Sequence, residues 1–412
     1  MQQINPFHGL STLAIHATEE DNPFNTNVTP IYQSSIYRIP DVDTGAAIFQ
    51  GETPGYVYSR LSNPTLDQVG RKLAVLEGVD LMRRDPQRPL DEVLRGRIFA
   101  SGIAAITSVI LARVGCGETV ISQQPLYSRT HGFLSEAERH GIHVKWIQDP
   151  TVENWEKAFI ACPDASLAYV ESPVNPGLGV VDIGAVVEIA HHHGAWVMVD
   201  NTFATPYCQR PLSLGADLVV HSTTKYLNGH GLIIGGAVVS VQLDFMDDAL
   251  YNVHQTFGAT ASPFDTWLLN NGLKTFEVRL QRQCENAHKA AEFLESHPAV
   301  AKVNYPGLPS FKDHALAKRQ MSAFGGMMSF ELKGGFAAGK AMMNNMRLCR
   351  LAVSLGHLDS LIEHPASMTH VHVPPEVQAQ TGITPGLVRF SVGIENVEDI
   401  IADLDQAMSA PF

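Results

Sequence analysis

Two apolar runs in this chain end in residues with chemistry to offer. AWVMVD (195–200) stops at Asp200, and ADLVVHSTTK (216–225) ends in a cluster that places Ser222 and Thr224 beside Lys225. A lysine amine condenses with an aldehyde to form a Schiff base. A carboxylate at a strand end can keep a heterocyclic nitrogen protonated, and neighbouring hydroxyls can hold a phosphate. A third run, RIFASGIAAI, places Ser101, Gly102 and Ile103 where a strand gives way to a helix. The first amides of such a helix point at an anion. Each feature alone is commonplace, since a lysine after a strand is usually a surface residue and an aspartate there usually a turn. Together, in this order, they fit one cofactor, pyridoxal phosphate, which needs an aldehyde anchor, a partner for its ring nitrogen and a phosphate site.

The elements that must position these residues can be read from pattern. Residues 1–62 are rich in Pro, Asn, Thr and Gly and are expected to form an extended arm that lies on another surface, a neighbouring subunit. Over 63–262, buried-type strands alternate with amphipathic helices. RIFASG, ETVISQQ, HVKWIQ, SLAYVES, AWVMVD, ADLVVHS and GLIIGGAVVS are the expected strands. NPTLDQVGRKLAVLEG reads as a helix capped by Asn63 or Ser62, with Pro64 in its first turn. This alternation predicts an α/β fold with a mostly parallel central sheet, whose ligands sit beyond the carboxyl ends of the strands. Residues 263–412 read as a smaller α+β domain with strands in AVAKVNYPG, GGMMSFELKG and GLVRFSVGI, and a last helix in NVEDIIADLDQAMSA. The charged, proline-bearing stretch 83–97 is expected to be a solvated surface loop.

Composition narrows the function classes. The chain has 412 residues, of which 45% are hydrophobic and 17% charged, so it is expected to be globular. A formal net charge of -13 argues against nucleic acid as a partner and gives no help at an anionic membrane. No apolar run has the length of a membrane span and no secretory leader is evident, so a cytoplasmic location is expected. Five well-separated cysteines with no CxxC point to reduced thiols. No metal site is assigned. His191, His192 and His193 suit a helix end, and His370 with His372 lack a third ligand nearby in sequence. The run GHGLIIGG is not a nucleotide loop, and its glycines are expected to serve a turn and a strand.

Ordered motifs from end to end carry a resemblance. STLAIH, TPIYQSSIY, YVYSRLSNPT, ASGIAAI, PLYSRT, ESPVNP, VDNTFATP, HSTTKYLNGH, SLGHLDSLIEHPASMTH and GLVRFSVGIE together resemble the Cys/Met-metabolism family of fold-type I pyridoxal-phosphate enzymes. The resemblance implies that fold-type I architecture, with a smaller C-terminal α+β domain. It makes Lys225 the Schiff-base lysine and Asp200 the pyridine partner. Ser222, Thr224, Gly102 and Ile103 become phosphate ligands, although the family usually has Met where Ile103 stands. Tyr127 would stack on the ring and assist proton transfer. Asn175, close to Glu171 in ESPVNP, would contact the ring oxygen. Ser354 and Arg389 would hold the substrate's α-carboxylate. Tyr58 and Arg60 would reach the phosphate of a neighbouring subunit, implying a homotetramer built as a dimer of dimers with shared active sites.

The same resemblance implies an amino-acid substrate and chemistry at its γ-carbon, with Lys225 as the base for the α-proton. Loss of the γ-substituent and hydrolysis would give a 2-oxo acid, ammonia and a thiol. Entry of a nucleophile would instead give a replacement product. NYPGLPSF, SLIEHPASMTH and GLVRFSVGIE are most similar to γ-lyases of methionine, so γ-elimination from a methionine-like or other sulfur amino acid is the first expectation. The alternative is γ-replacement, as in O-acetyl- or O-succinylhomoserine sulfhydrylases and cystathionine γ-synthases. A non-catalytic cofactor-binding relative is a third possibility. Two positions depart from the γ-lyase pattern: Arg129 stands where those proteins have cysteine, and Leu232 where they have aspartate. Arg129 is therefore a candidate contact for a polar or anionic γ-substituent.

Overall fold

The structure, a computed structural model, describes residues 5–409 apart from 20, 21, 23, 125, 370, 372–377 and 379–381. His370 and His372 thus lie outside the described residues.

Seven strands build the larger sheet: β1 (Arg95–Phe99), β2 (Thr119–Gln123), β3 (His143–Ile147), β4 (Ala165–Glu171), β5 (Trp196–Asp200), β6 (Leu218–Ser222) and β7 (Gly236–Ser240). Their spatial order is β1-β7-β6-β5-β4-β2-β3. Strands β2 to β6 pair in parallel, while β7 runs antiparallel to both its neighbours. Strands β2, β4 and β7 are buried along their whole length. Helices on both faces explain this, and explain why these strands read as continuous apolar runs without alternation. Because parallel strands share a direction, the ends of β4, β5 and β6 bring Glu171, Asp200 and Ser222 to one edge of the sheet.

A second sheet follows, with β8 (Val300–Asn304), β9 (Met327–Leu332), β10 (Arg350–Leu351), β11 (Leu361–Glu363) and β12 (Leu387–Ser391) in the order β10-β11-β12-β9-β8. The helix Phe276–Ser296 packs on it through Ala287, Ala290, Ala291 and Leu294, which are fully buried with Phe330 and Phe390. Strands β10 and β11 are too short to carry a readable period, and the sequence does not announce them.

The helix Pro64–Arg84 starts as expected, with the Asn63 side chain accepting from the Thr65 amide at 2.9 Å. It runs further than expected and takes up Arg83 and Arg84. The stretch 83–97 is therefore no plain loop. It holds the end of this helix, a short helix Leu90–Val93, and the start of β1. The physical reason is apolar: Leu90 and Leu94 are buried and pull the segment onto the body. The N-terminal arm carries two short helices, Leu10–His16 and Val42–Phe49. Arg83 donates from Nε to the Pro6 carbonyl at 2.8 Å, and Lys72 pairs with Glu19 at 2.7 Å. Among the described residues no helix is long and apolar enough to cross a membrane.

Candidate active site

A cavity of about 750 Å³ opens where the carboxyl edge of the larger sheet meets the second sheet. That is room for a cofactor together with a small substrate. Gly102, Ile103, Tyr127, Arg129, Glu171, Asn175, Asp200, Ser222, Thr224, Lys225, Ser354 and Arg389 all line it. Tyr58 and Arg60 do not. The Arg60 guanidinium lies 5.4 Å from the Tyr58 ring centroid and donates to the Gln255 carbonyl at 2.7 Å. Tyr58 is 41% exposed, and neither residue contributes to its own chain's cavity.

One wall suits a phosphate. The helix Gly102–Arg113 begins beside Ser222, capped by Ser101 Oγ on the Ala104 amide at 3.1 Å. Its first amides lack partners within the helix, as helix starts do. A Cβ placed on Gly102 would fall 2.7 Å from the Ser222 Cβ, so a side chain there would close the gap between helix start and hydroxyl. Thr224 Oγ1 accepts from the Gly235 amide at 3.0 Å, tying the hydroxyl to the start of β7.

The opposite end suits a ring with a basic nitrogen. Asp200 Oδ1 accepts from the Thr202 amide at 3.0 Å and Oδ2 from the Tyr169 hydroxyl at 3.2 Å. Thr202 Oγ1 in turn accepts from the Ser222 amide at 2.9 Å, linking the ends of β5 and β6. Glu171 is the register partner of Asp200 and accepts the Tyr127 and Asn175 amides, each at 2.8 Å. Burial, with the Asp200 charge adding to it, pushes the Glu171 carboxyl up to about 8.

Lys225 projects from the turn after β6. Its Nζ donates to Ser354 Oγ at 2.8 Å. Burial and the nearby Arg389 cation bring its amine down to about 8, against a smaller opposing pull from Glu363. A lysine in that range is neutral often enough near pH 7 to take a proton. Arg389, from β12, pairs through Nε with Glu363 at 3.1 Å. Its Nη2 donates to the Ser354 carbonyl at 2.8 Å and its Nη1 lies 3.4 Å from Asn175 Oδ1. Held on three sides, the guanidinium is a fixed anchor for a carboxylate.

Three residues escaped the sequence reading. Glu363 sits on β11, whose three residues give no pattern. Thr202 could have been found, because a residue two beyond a strand-end aspartate often supplies its amide to that carboxylate. Tyr169 lies two residues before Glu171, hence on the same face of β4, and that spacing was a usable signal. Arg129 also lines the cavity, exposed, and among the described residues it makes no ion pair with an acid.

Comparison with known proteins agrees with this chemistry. The profile of the family described as "Cys/Met metabolism PLP-dependent enzyme" matches residues 11–409. The chain belongs to that family and binds pyridoxal 5'-phosphate. It is 46% identical to an L-methionine gamma-lyase of Porphyromonas gingivalis, over 98% of this chain and 97% of that one. A cystathionine gamma synthase of Xanthomonas oryzae pv. oryzae, solved in complex with aminoacrylate and cysteine, superposes with a TM-score of 0.88. It is 38% identical, over 98% of each chain. A cystathione gamma lyase (CalE6) of Micromonospora echinospora also gives 0.88, at 36% identity, over 98% of this chain and all of that one. The likeness therefore spans proteins named for elimination and for replacement.

Proposed function

We propose that this enzyme works at the γ-carbon of an amino acid whose γ-substituent ends in an anion, and that its main outcome is γ-replacement. An O-succinylhomoserine-like ester with a thiol such as cysteine is the substrate class that fits. The observation that carries this reading is Arg129, a residue on the cavity wall with no acid partner among the described residues. A thioether methyl beside it would gain nothing and would cost the guanidinium part of its hydration. A carboxylate would be gripped by two parallel N–H bonds.

Gly102, Ile103, Ser222 and Thr224 would hold the cofactor's phosphate, Asp200 its ring nitrogen and Asn175 its ring oxygen, with Tyr127 against the ring. Tyr58 and Arg60 would serve a neighbouring subunit's cavity in the same way, which gives the arm its purpose and implies the tetramer of shared sites. When bound, the cofactor supplies an electron sink that makes the α- and β-hydrogens of an attached amino acid acidic. Arg389 and Ser354 orient the α-carboxylate. The neutral Lys225 amine takes the α-proton at Nζ and can carry it on along the bound substrate. Tyr127 is placed to give or take a proton at the departing or arriving group.

The second reading, γ-elimination from a methionine-like substrate, is supported by the 46% identity with the P. gingivalis protein. Arg129→Leu separates the two. If Arg129 grips an anionic substituent, kcat/KM for the succinyl ester drops about 10- to 100-fold, the loss of one charged hydrogen-bonded contact, while the acetyl ester is little affected. An equal effect on both esters contradicts the proposal.

A further inference from the structure

From Lys225 a hydrogen-bonded line runs through Ser354, on the cavity wall, to His357, which the proposed reaction does not use. Lys225 Nζ donates to Ser354 Oγ at 2.8 Å, and Ser354 Oγ lies 3.3 Å from His357 Nε2. His357 Nδ1 faces Asp359 Oδ1 at 3.9 Å. The His357 side chain is 22% exposed and is not part of the cavity wall. The line therefore leads from the buried amine, through a serine on the cavity wall, to a partly exposed imidazole outside that wall.

The backbone is shaped around it. Ser354 has φ of 90°, a region that ordinary side chains rarely adopt, so its hydroxyl is held where the chain alone would not put it. Gly231, in the GHGLIIGG run, has φ of 67°, and a Cβ there would fall 2.8 Å from the His357 ring. The glycine leaves the space the imidazole fills. Gln283 fixes the other side by donating to the His357 carbonyl at 2.7 Å.

We propose that Ser354 and His357 form a proton relay through which Lys225 exchanges protons with solvent while substrate fills the cavity, with His357 as its outer, positioning member. When charged Lys225 yields a proton, an N–H bond at Nζ breaks and an O–H bond forms at Ser354 Oγ. The proton already on Ser354 moves to His357 Nε2. The positive charge passes from ammonium to imidazolium beside Asp359, and solvent then takes the proton, so no co-reactant is needed. The charged groups facing His357 are Lys225 on the inner side and Asp359 on the outer, the latter held by Arg350 at 3.0 Å. Arg389 and Glu363 act on the Lys225 end. Burial, and secondarily the Lys225 charge, hold the imidazole below its ordinary value while Asp359 pulls it up. A relay group that stays mostly neutral accepts a proton and releases it again.

The test uses the holoenzyme and a substrate with no leaving group, L-norvaline, whose α-hydrogen is exchanged for solvent deuterium. It requires only proton removal and return, so it is independent of whether the γ-carbon is replaced or emptied. In His357→Gln the exchange slows about 10- to 100-fold and rises again with added imidazole at fixed pH, whereas the parent enzyme is insensitive to imidazole. The cofactor absorbance of the unliganded variant stays as in the parent, separating relay loss from damage to the site. In Asp359→Asn, which keeps the ring, the midpoint of the rate–pH profile moves to lower pH because the imidazolium loses its counter-charge. Unchanged exchange in His357→Gln, a loss that imidazole does not restore, or an unmoved midpoint in Asp359→Asn overturns the relay.

Discussion

Glu171 and Asp200 stand side by side as register partners at the carboxyl ends of β4 and β5, both buried. Two carboxylates so placed cannot both ionise cheaply. Asp200 is the one whose role requires charge, so Glu171 carries the strain. Its folded value of about 8 lies above the ordinary 4.5. Between those values the folded state holds more protons than the unfolded one, so stability falls as pH rises through that window. Each pH unit costs up to about 1.4 kcal/mol. In the cofactor-free protein, the midpoint of thermal unfolding followed from pH 5 to pH 8 should therefore drop in the parent, and much less in Glu171→Gln. Parallel curves for the two proteins would refute this placement of the proton.

Lys225 gives a second, more local prediction. Its amine should react with a small acylating reagent, in the cofactor-free protein, at a rate that rises through about pH 8 instead of the ordinary 10.5. Burial is the larger cause and Arg389 the second. Arg389→Leu removes a positive neighbour, so the midpoint should move up. Peptide mapping by mass spectrometry reads the extent at Lys225, and a midpoint that stays in place in the variant would show that Arg389 exerts no field there.

The arm is held by an ion pair whose cost depends on both partners. Lys72 is fully buried and Glu19 Oε1 also receives Lys274 at 3.2 Å and Asn270 Nδ2 at 3.2 Å. Burial pushes the Glu19 carboxyl up, but Lys72 and its companions more than offset this and bring it down to about 2. Burial brings the Lys72 amine down to about 8, so the pair is fully charged between about pH 4.5 and 8, and the Glu19 contribution is lost as pH falls toward 2. Glu19→Gln leaves a buried ammonium without its counter-charge and should cost about 3–5 kcal/mol in denaturant unfolding. Glu19→Gln with Lys72→Met should recover much of that. If the double variant is no better than the single one, the arm is anchored by packing and not by this pair.

Arg60 tests the shared site. Arg60→Ala and Lys225→Ala should each be nearly inactive alone. Refolded together, they should regain part of the parent activity, because one cavity in the mixed dimer receives both an intact Lys225 and an intact Arg60. Activity no greater than the sum of the two variants would place Arg60 outside the catalytic assembly.

Much of this architecture was legible because it rests on local rules. Continuous apolar strands between amphipathic helices gave the parallel sheet, and strand-end positions gave Asp200, Ser222 and Lys225. The expected homologous motifs supplied Asn175, Ser354 and Arg389, and all of these line one cavity. What stayed hidden was non-local or too short to show a period. Glu363 meets Arg389 only once β11 pairs with β12. His357 meets Ser354 only because the backbone at Ser354 takes an unusual turn and Gly231 makes room. The stretch 83–97 looked solvated because its charges outnumber its leucines, yet Leu90 and Leu94 decide where it lies. Arg129 was visible as a departure from a pattern. It is also the residue on which the proposed replacement reading rests, beside the first expectation of elimination from a methionine-like substrate.

The central claim concerns what leaves and what enters at the γ-carbon, and a product balance addresses it most directly. The purified enzyme with pyridoxal phosphate is given O-succinylhomoserine and cysteine, and succinate, cystathionine, 2-oxobutanoate and ammonia are quantified together. The account predicts that cystathionine appears in step with succinate, with little 2-oxobutanoate while cysteine is in excess. Release of 2-oxobutanoate and ammonia in step with succinate despite excess cysteine, together with faster turnover of methionine, would contradict it.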